Sequence, residues 1–142
     1  MQIVGFNFTK ISGYKSQKSS KMNVNAGIEF TDLEKEKLEL LKDSEAMKLT
    51  FKHTLDYDNA DKKEDKIAQI LFEGNLILSL TKDESKDVLK SWKKKTLPEN
   101  INLPLYNLIL KRCAPKALQL QEELNLPSHV RIPRIDSPKS TD

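Results

Sequence analysis

KIAQILFEGNLILSL, at residues 66–80, is the longest run rich in Ile, Leu and Phe in this chain. Such residues favour a strand, and Gly74 followed by Asn75 favours a bulged strand over the alternative, a buried helix. Because successive side chains of a strand point to opposite faces, its even-numbered face is apolar from Ala68 onward and its odd-numbered face partly so. A strand that is apolar on both faces needs cover on both. We therefore expect helices of this chain on one face and a second subunit or a bound partner on the other.

Three upstream segments, residues 2–10, 22–31 and 47–57, show the alternation of half-buried strands. In the first, alternation predicts Val4, Phe6 and Phe8 on one face and Ile3 and Ile11 on the other. Segment 32–45 fits either a helical turn or an extended hairpin arm. Four sequential strands with short polar connections predict an antiparallel sheet, for which a meander is the simplest topology.

After residue 80 the period changes to that of helices. Thr81 and Glu84 have the spacing of a capping box, which predicts a short helix beginning there. A second, longer helix is expected to begin near Pro104, since proline suits the first helical position. Pro115 removes a backbone donor and clashes one turn back, so this helix is expected to kink or restart at residues 113–115.

These elements predict an α+β fold: a four-stranded antiparallel sheet followed by a short helix and a kinked long helix packed on one face. At 142 residues the chain is long enough for a single hydrophobic core. We expect one domain over residues 1–135 and a disordered tail at residues 136–142.

Composition narrows the class of protein and of partner. Charged residues make up 32% of the chain, but basic and acidic residues are interleaved and the formal net charge is only +3. Without a continuous basic stripe, nucleic acid is not the first partner to expect. A single cysteine, no secretory signal pattern and no apolar stretch of membrane-spanning length predict a soluble, cytoplasmic protein without membrane insertion.

No residue pattern predicts catalysis, a metal site or a cofactor. His53 lies on the apolar face of its strand, where a hydrogen-bonded core histidine is the expected interpretation, and Cys113 fits a small buried residue. Asp56 and Asp58 fit a solvated turn better than a cation site. Trp92 fits a packing anchor better than a stacking platform. We therefore predict that the protein is not an enzyme.

The order of elements and a few C-terminal residues resemble the SecB family of export chaperones. The pair Arg112-Cys113 lies in a predicted helix and is followed by Leu124-Asn125-Leu126-Pro127 and Val130. This resembles the family's helix with its Glu-Cys pair and the Leu-Asn-Leu-Ala-Pro-Val type segment after it. The chain differs from typical bacterial members, which are acidic, carry an acidic C-terminal tail and use that acidity to contact the export motor.

The resemblance implies a chaperone that works without ATP and holds unfolded or pre-export polypeptides on exposed apolar grooves. It implies a homotetramer, a dimer of dimers, although a dimer is also compatible, and possible contact with a protein-export component. In that family the client groove runs between strand two and the connecting and helical segments. The residues expected to bind clients here are Ile28, Phe30, Leu33, Trp92, Leu97, Ile101, Val130 and Ile132. The residues expected at the subunit interface are Leu105, Leu108 and Ile109.

Three other functions stay open. The same fold fits a dedicated module that masks one specific client, such as a toxin. A cavity between sheet and helices fits a small-molecule binding protein or enzyme, although no convergent polar groups favour it. The run Lys93-Lys94-Lys95 next to Trp92 fits an RNA-binding protein that uses charge and stacking.

Overall fold

The computed structural model describes residues 1–16, 21–37 and 44–136. Four strands precede two helices, which confirms the predicted α+β class: β1 (Gln2–Lys15), β2 (Met22–Glu36), β3 (Ser44–Asn59), β4 (Lys66–Thr81), α1 (Lys82–Trp92) and α2 (Glu99–Glu123). Residues 32–36 and 44–45 belong to β2 and β3, so the described part of segment 32–45 is an extended hairpin arm. Leu38, Leu40, Leu41 and tail residues 137–142 lie outside the described residues.

The sheet is antiparallel with the strand order β1-β4-β3-β2, so the expected meander is wrong. β2, β3 and β4 follow one another as hairpins, whereas β1 pairs with β4 on the far side. The physical reason lies in β4, which is apolar on both faces. A meander would leave β4 at an edge of the sheet, where its side chains are least covered; the observed order places it in the centre.

Two bulges in β1 change which of its side chains face the helices. Register breaks at Val4 and Thr9 each insert one extra residue, so that Ile3, Phe6 and Phe8 stand opposite inward-facing residues of β4. The same breaks bring Ile11 opposite Phe72 and leave Val4 exposed. Simple alternation therefore gave the wrong face for Val4, Ile3 and Ile11.

The bulge of β4 lies at Ile67, where the register against β3 shifts, and not at Gly74. Gly74 is paired in register with Phe8 on one side and Phe51 on the other. A Cβ at this position would collide with the backbone oxygen of Asn7 and lie 2.9 Å from the Phe51 ring. Glycine is therefore required here by a close approach of the backbone.

We expect Gly74→Ala to lower the free energy of unfolding by about 1–3 kcal/mol, because the backbone of β1 must shift to admit the methyl group. Urea unfolding followed by circular dichroism measures this. Gly27→Ala is the matched control, since a Cβ there meets only the Thr54 hydroxyl at 3.7 Å. Equal stability of the Gly74→Ala and wild-type proteins would contradict the proposed close contact.

Both helices cover the same face of the sheet. α1 begins with the predicted capping box, in which Thr81 Oγ1 accepts from Glu84 N and Glu84 Oε1 accepts from Thr81 N. Pro98 occupies the N-cap position of α2 without a side-chain hydrogen bond, and the helix begins at Glu99, so Pro104 lies inside the helix rather than at its first position. The residues that α2 buries recur every fourth position: Ile101, Leu105, Ile109, Cys113, Ala117 and Gln121.

α2 does not restart at residues 113–115, because it is continuous from Glu99 to Glu123 through Pro115. Proline at position 115 leaves the carbonyl of Lys111 without its usual partner. Both Pro115 and Lys111 are exposed. Water can therefore bind this carbonyl, and the loss of one hydrogen bond on the solvent side is compatible with a continuous helix.

Two of the three residues expected at a subunit interface lie in the core of the protomer. Leu105 and Ile109 have no exposed surface, whereas Leu108 is half-buried against the same core. The interface prediction is therefore wrong for Leu105 and Ile109, which are covered by the chain's own sheet. Helical periodicity identified an apolar stripe correctly but could not show what covers it.

Candidate functional site

The inward face of β2 is apolar but incompletely covered. Ala26, Ile28 and Phe30 stand opposite Leu55, His53 and Phe51 of β3, on the side of the sheet where the helices pack. A register break at Thr31 inserts one residue, so that Leu33 continues the same face. β2 is an edge strand, so no other strand pairs with its outer edge in the part of the chain described.

The opposite wall comes from the N-terminal half of α2. The Tyr106 ring stacks on the Phe30 ring with centroids 5.4 Å apart and planes 3° apart. Leu110, one turn further along the helix, remains 42% exposed. The stacked pair joins β2 to α2 at one point and leaves an open channel on either side of it.

Two adjoining concavities lie along this channel. The larger, of about 650 Å³, includes Phe30, Leu97 and Asn102, and the smaller, of about 390 Å³, includes Ala26, His53 and Leu110. They share lining residues, so they form one groove. We call it the β2–α2 groove and define it by Ala26, Ile28, Phe30, Leu97, Tyr106 and Leu110.

His53 forms part of the floor of this groove and is uncharged at neutral pH. Its ring is buried, stacks on Phe72 and has Nδ1 2.8 Å from the carbonyl oxygen of Gly27, as expected of a hydrogen-bonded core histidine. Burial lowers the pKa of His53 below its ordinary value of 6.5, against a smaller opposing effect of the Gly27 hydrogen bond. The groove floor is therefore apolar and neutral.

The lowered pKa of His53 predicts a loss of stability in acid. Below its ordinary pKa of 6.5, the unfolded state binds a proton that the folded state does not, so the free energy of unfolding falls with decreasing pH. His129 contributes in the same direction, because burial lowers its pKa too. Urea unfolding at about pH 7.5 and about pH 5 should show this fall, and His53→Gln should reduce it. A fall of the same size in the variant would assign the pH dependence to other groups.

The structure brings together three of the eight residues expected to bind clients. Ile28, Phe30 and Leu97 line the β2–α2 groove, and Leu33 lies on the same face of β2 but packs against the core. Ile101 is 2% exposed and belongs to the core, so its expected role in the groove is wrong. It is the first member of the buried stripe of α2, because α2 begins earlier than the sequence suggested.

Trp92 is half-buried and does not line the groove. Lys95 adopts a left-handed backbone conformation (φ 57°) just after α1, and its Nζ lies 4.8 Å from the Trp92 ring centroid. One face of the indole is thus covered by a cation from its own chain. This arrangement leaves less of the ring for a nucleobase or a client side chain to stack on.

Val130 and Ile132 lie at the other end of α2, in a separate concavity of about 660 Å³. This concavity also contacts Leu118 and Gln121, whereas the groove contacts Asn102 and Tyr106. The residues of α2 at the facing ends of the two concavities, Leu110 and Leu118, are eight positions apart, about 12 Å along a helix. The eight expected residues therefore do not form one site.

Buried hydrogen bonds fix the chain that follows α2. Tyr57 Oη donates to the Pro127 carbonyl oxygen (2.9 Å), and Gln121 Nε2 lies 2.7 Å from Tyr57 Oη and 2.9 Å from His129 Nδ1. Burial raises the pKa of Tyr57, so its hydroxyl stays a donor. Cys113 is buried beneath α2 and its pKa is raised to about 12 by burial, so it is a packing residue rather than a nucleophile.

Tyr106 and Leu110 are the groove residues that the sequence did not identify. The signal was present as Leu103, Tyr106 and Leu110, a second apolar row beside Leu105 and Ile109. Two rows on one helix indicate that it has more apolar surface than one sheet face covers. Elsewhere, Asp56 accepts from Gln69 and Asp58 from Asn25, and no cluster of three metal-ligating side chains occurs in residues 1–16, 21–37 and 44–136.

Comparison with known proteins shows similarity in structure alone. No protein-family model and no curated protein matches this chain. A solved structure of the Mycobacterium tuberculosis SecB-like chaperone Rv1957, in complex with a ChAD peptide from the Rv1956 HigA1 antitoxin, is similar in fold. The TM-score is 0.53 with 14% sequence identity, covering 97% of this chain and 92% of that one. No helix in the described residues is long and apolar enough to cross a membrane.

Proposed function

We propose that this protein is an ATP-independent chaperone that holds extended, apolar segments of unfolded or pre-export polypeptides in the β2–α2 groove. The observation that carries this proposal is a groove, open to solvent, between the apolar inward face of an edge strand and the helix that packs beside it, bridged at one point by the Phe30–Tyr106 stack. Covering exposed apolar surface of this kind with a polypeptide stabilises the complex by about 25 cal/mol per Å² of apolar area buried, before entropic costs.

The chemistry of the groove supports a polypeptide ligand. The smaller concavity has a mostly apolar lining, and its histidine is neutral and hydrogen-bonded to the backbone. The larger concavity adds Phe30 and Leu97 beside polar residues such as Thr96 and Asn102. Glu29 and Lys95 at the wider end are the charged residues among those that line it. Such a surface recognises apolar side chains without demanding a particular order of them. The similar chaperone structure contains a bound peptide, which also supports a polypeptide ligand.

We further propose that the protein forms a homo-oligomer, a tetramer built as a dimer of dimers, or a dimer. Several grooves on one particle bind one long client with high avidity, even when each contact is weak. Exposed apolar residues outside the groove, Ile11 and Tyr14 of β1, support burial against other chains. Light scattering measures the mass of the particle in solution and so distinguishes a tetramer, a dimer and a monomer. A protein-export component as an additional partner stays a prediction from the family resemblance.

The direct test is suppression of aggregation. A chemically denatured client is diluted into buffer without nucleotide, with and without this protein, and turbidity is followed. The proposal predicts protection at near-stoichiometric amounts and little dependence on salt, because apolar contacts are hardly screened. Absence of protection for several unrelated clients would contradict a general holding role.

A dedicated chaperone of one client is the second candidate, since the peptide in the similar structure comes from an antitoxin. Competition separates the two functions. A general chaperone binds unrelated unfolded proteins with similar affinities, whereas a dedicated one binds its own client far more tightly than all others.

A further inference from the structure

The two edges of the sheet carry opposite charges. β1 has two lysines and no acidic residue, and the part of α2 beside it, between Glu99 and Glu122, has three basic residues and no acidic one. β2, at the other edge, has four acidic residues and one lysine. Positive charge is therefore concentrated on the side of α2 that faces away from the β2–α2 groove.

Two of these cations are held in place by aromatic rings. Arg112 Cζ lies 5.0 Å from the centroid of the Phe6 ring, and Lys116 Nζ lies 5.4 Å from that of Phe8. Phe6 and Phe8 pack against the core, so the rings themselves are fixed. Arg112 and Lys116 are exposed, and neither forms an ion pair with a carboxylate within residues 1–16, 21–37 and 44–136. The charges of Arg112 and Lys116 are therefore available to a partner. Because the rings already restrict these two side chains, they lose less conformational entropy when a partner binds.

We propose that this β1–α2 surface, defined by Phe6, Phe8, Arg112 and Lys116, binds an acidic segment of a partner polypeptide in extended conformation. Positions 112 and 116 are four residues apart on a helix, about 6 Å along its axis. In an extended chain, alternate side chains point the same way and are about 6.6 Å apart. Acidic residues at every second position therefore match the two cations.

Other occupants fit less well. A second copy placed on the same surface by a two-fold axis brings Arg112 and Lys116 against the same cations of its partner, which repel them. Single-stranded nucleic acid needs open aromatic faces for its bases. Here one face of each ring is covered by a cation. An acidic polypeptide needs only the cations.

This surface differs from the groove in the ligand it selects. The groove takes apolar side chains and is insensitive to salt, whereas the β1–α2 surface takes carboxylates and is screened by salt. The two lie on opposite sides of α2, as Phe30 contacts Tyr106 on one side and Phe6 contacts Arg112 on the other. The inference does not depend on the groove being a client site.

Fluorescence anisotropy with a labelled peptide of alternating Glu and Ser tests the proposal, because this peptide has no apolar side chain for the groove. We expect binding at about 50 mM salt that is lost at about 500 mM. The double variant Arg112→Gln, Lys116→Gln should weaken binding about tenfold. The control, Lys93→Gln, Lys94→Gln, removes equal charge after α1 and should change affinity by less than about twofold.

Peptides of alternating Gln and Ser, and of alternating Lys and Ser, give a test on the wild-type protein that does not depend on the folding of any variant. The proposal requires that neither binds measurably, and that a peptide with its Glu residues in one block binds more weakly than the alternating one. It is overturned if the alternating Glu peptide does not bind, or if the control variant loses as much affinity. Tighter binding of a single-stranded RNA oligonucleotide than of the peptide would also overturn it.

Discussion

Replacing Ile109 with Asp is expected to unfold the protein rather than to dissociate an oligomer. Ile109 has no exposed surface and lies in the middle of the stripe that α2 packs against the sheet. The loss of a large buried side chain costs about 2–5 kcal/mol. A carboxylate in the same apolar site adds a desolvation cost of several kcal/mol unless it takes up a proton. Together these approach the whole stability of an average domain, about 5–15 kcal/mol.

Circular dichroism during urea unfolding measures this effect, and Leu110→Asp is the matched control. The two positions are adjacent on the same helix, but Leu110 is exposed, so its carboxylate remains hydrated and the fold should persist. We expect no cooperative transition for the Ile109 variant and a nearly normal one for the Leu110 variant. A folded Ile109→Asp protein of lower mass in light scattering would restore the interpretation of this residue as a subunit contact.

The second large effect is expected in the groove. The double variant Ala26→Asp, Leu110→Asp places two carboxylates on opposite walls of the smaller concavity of the groove. Both positions are exposed, so the variant should stay folded. An apolar client segment must then dehydrate two charges when it binds. We expect its affinity to fall at least about tenfold, with loss of protection in the aggregation assay.

The matched control is Val4→Asp, Leu103→Asp. These two residues are apolar, exposed and on the same kinds of element, β1 and α2, but neither lines the groove. The control changes the net charge equally, so it separates an effect of the groove from an effect of charge. If both double variants protect the client as well as the wild-type protein does, clients bind elsewhere.

The element types could be predicted from the sequence, because the alternation in β3 and the capping box of α1 are local signals. Strand order could not, since β1 meets β4 through contacts between residues far apart in the chain, such as Gln2 and Ser79. The bulges of β1 could not be predicted from the sequence either. One extra residue at Val4 or Thr9 reverses the faces of every residue beyond it, and no side-chain type at these positions signals the insertion.

The candidate site was predicted in part for similar reasons. The family resemblance implied a groove beside the second strand and the connecting segment. Alternation in β2 then selects Ile28 and Phe30, and apolar character in the connection selects Leu97. Ile101 was misplaced because the helix was expected to begin at Pro104 instead of at Glu99. Tyr106 and Leu110 were missed because apolar residues at helical spacing show that a helix face is apolar, but do not show which strand that face contacts. Only the packing of the folded chain determines this contact.

The strand order also has a consequence for the protein's own synthesis. β1 is made before its hydrogen-bonding partner β4, which begins 51 residues after β1 ends. At about 5–20 residues per second, roughly 3–10 s pass between the end of β1 and the start of β4. During this interval Phe6 and Phe8 have no strand to pair with. The nascent chain therefore exposes, for seconds, an apolar segment of the kind that the finished protein is proposed to hold.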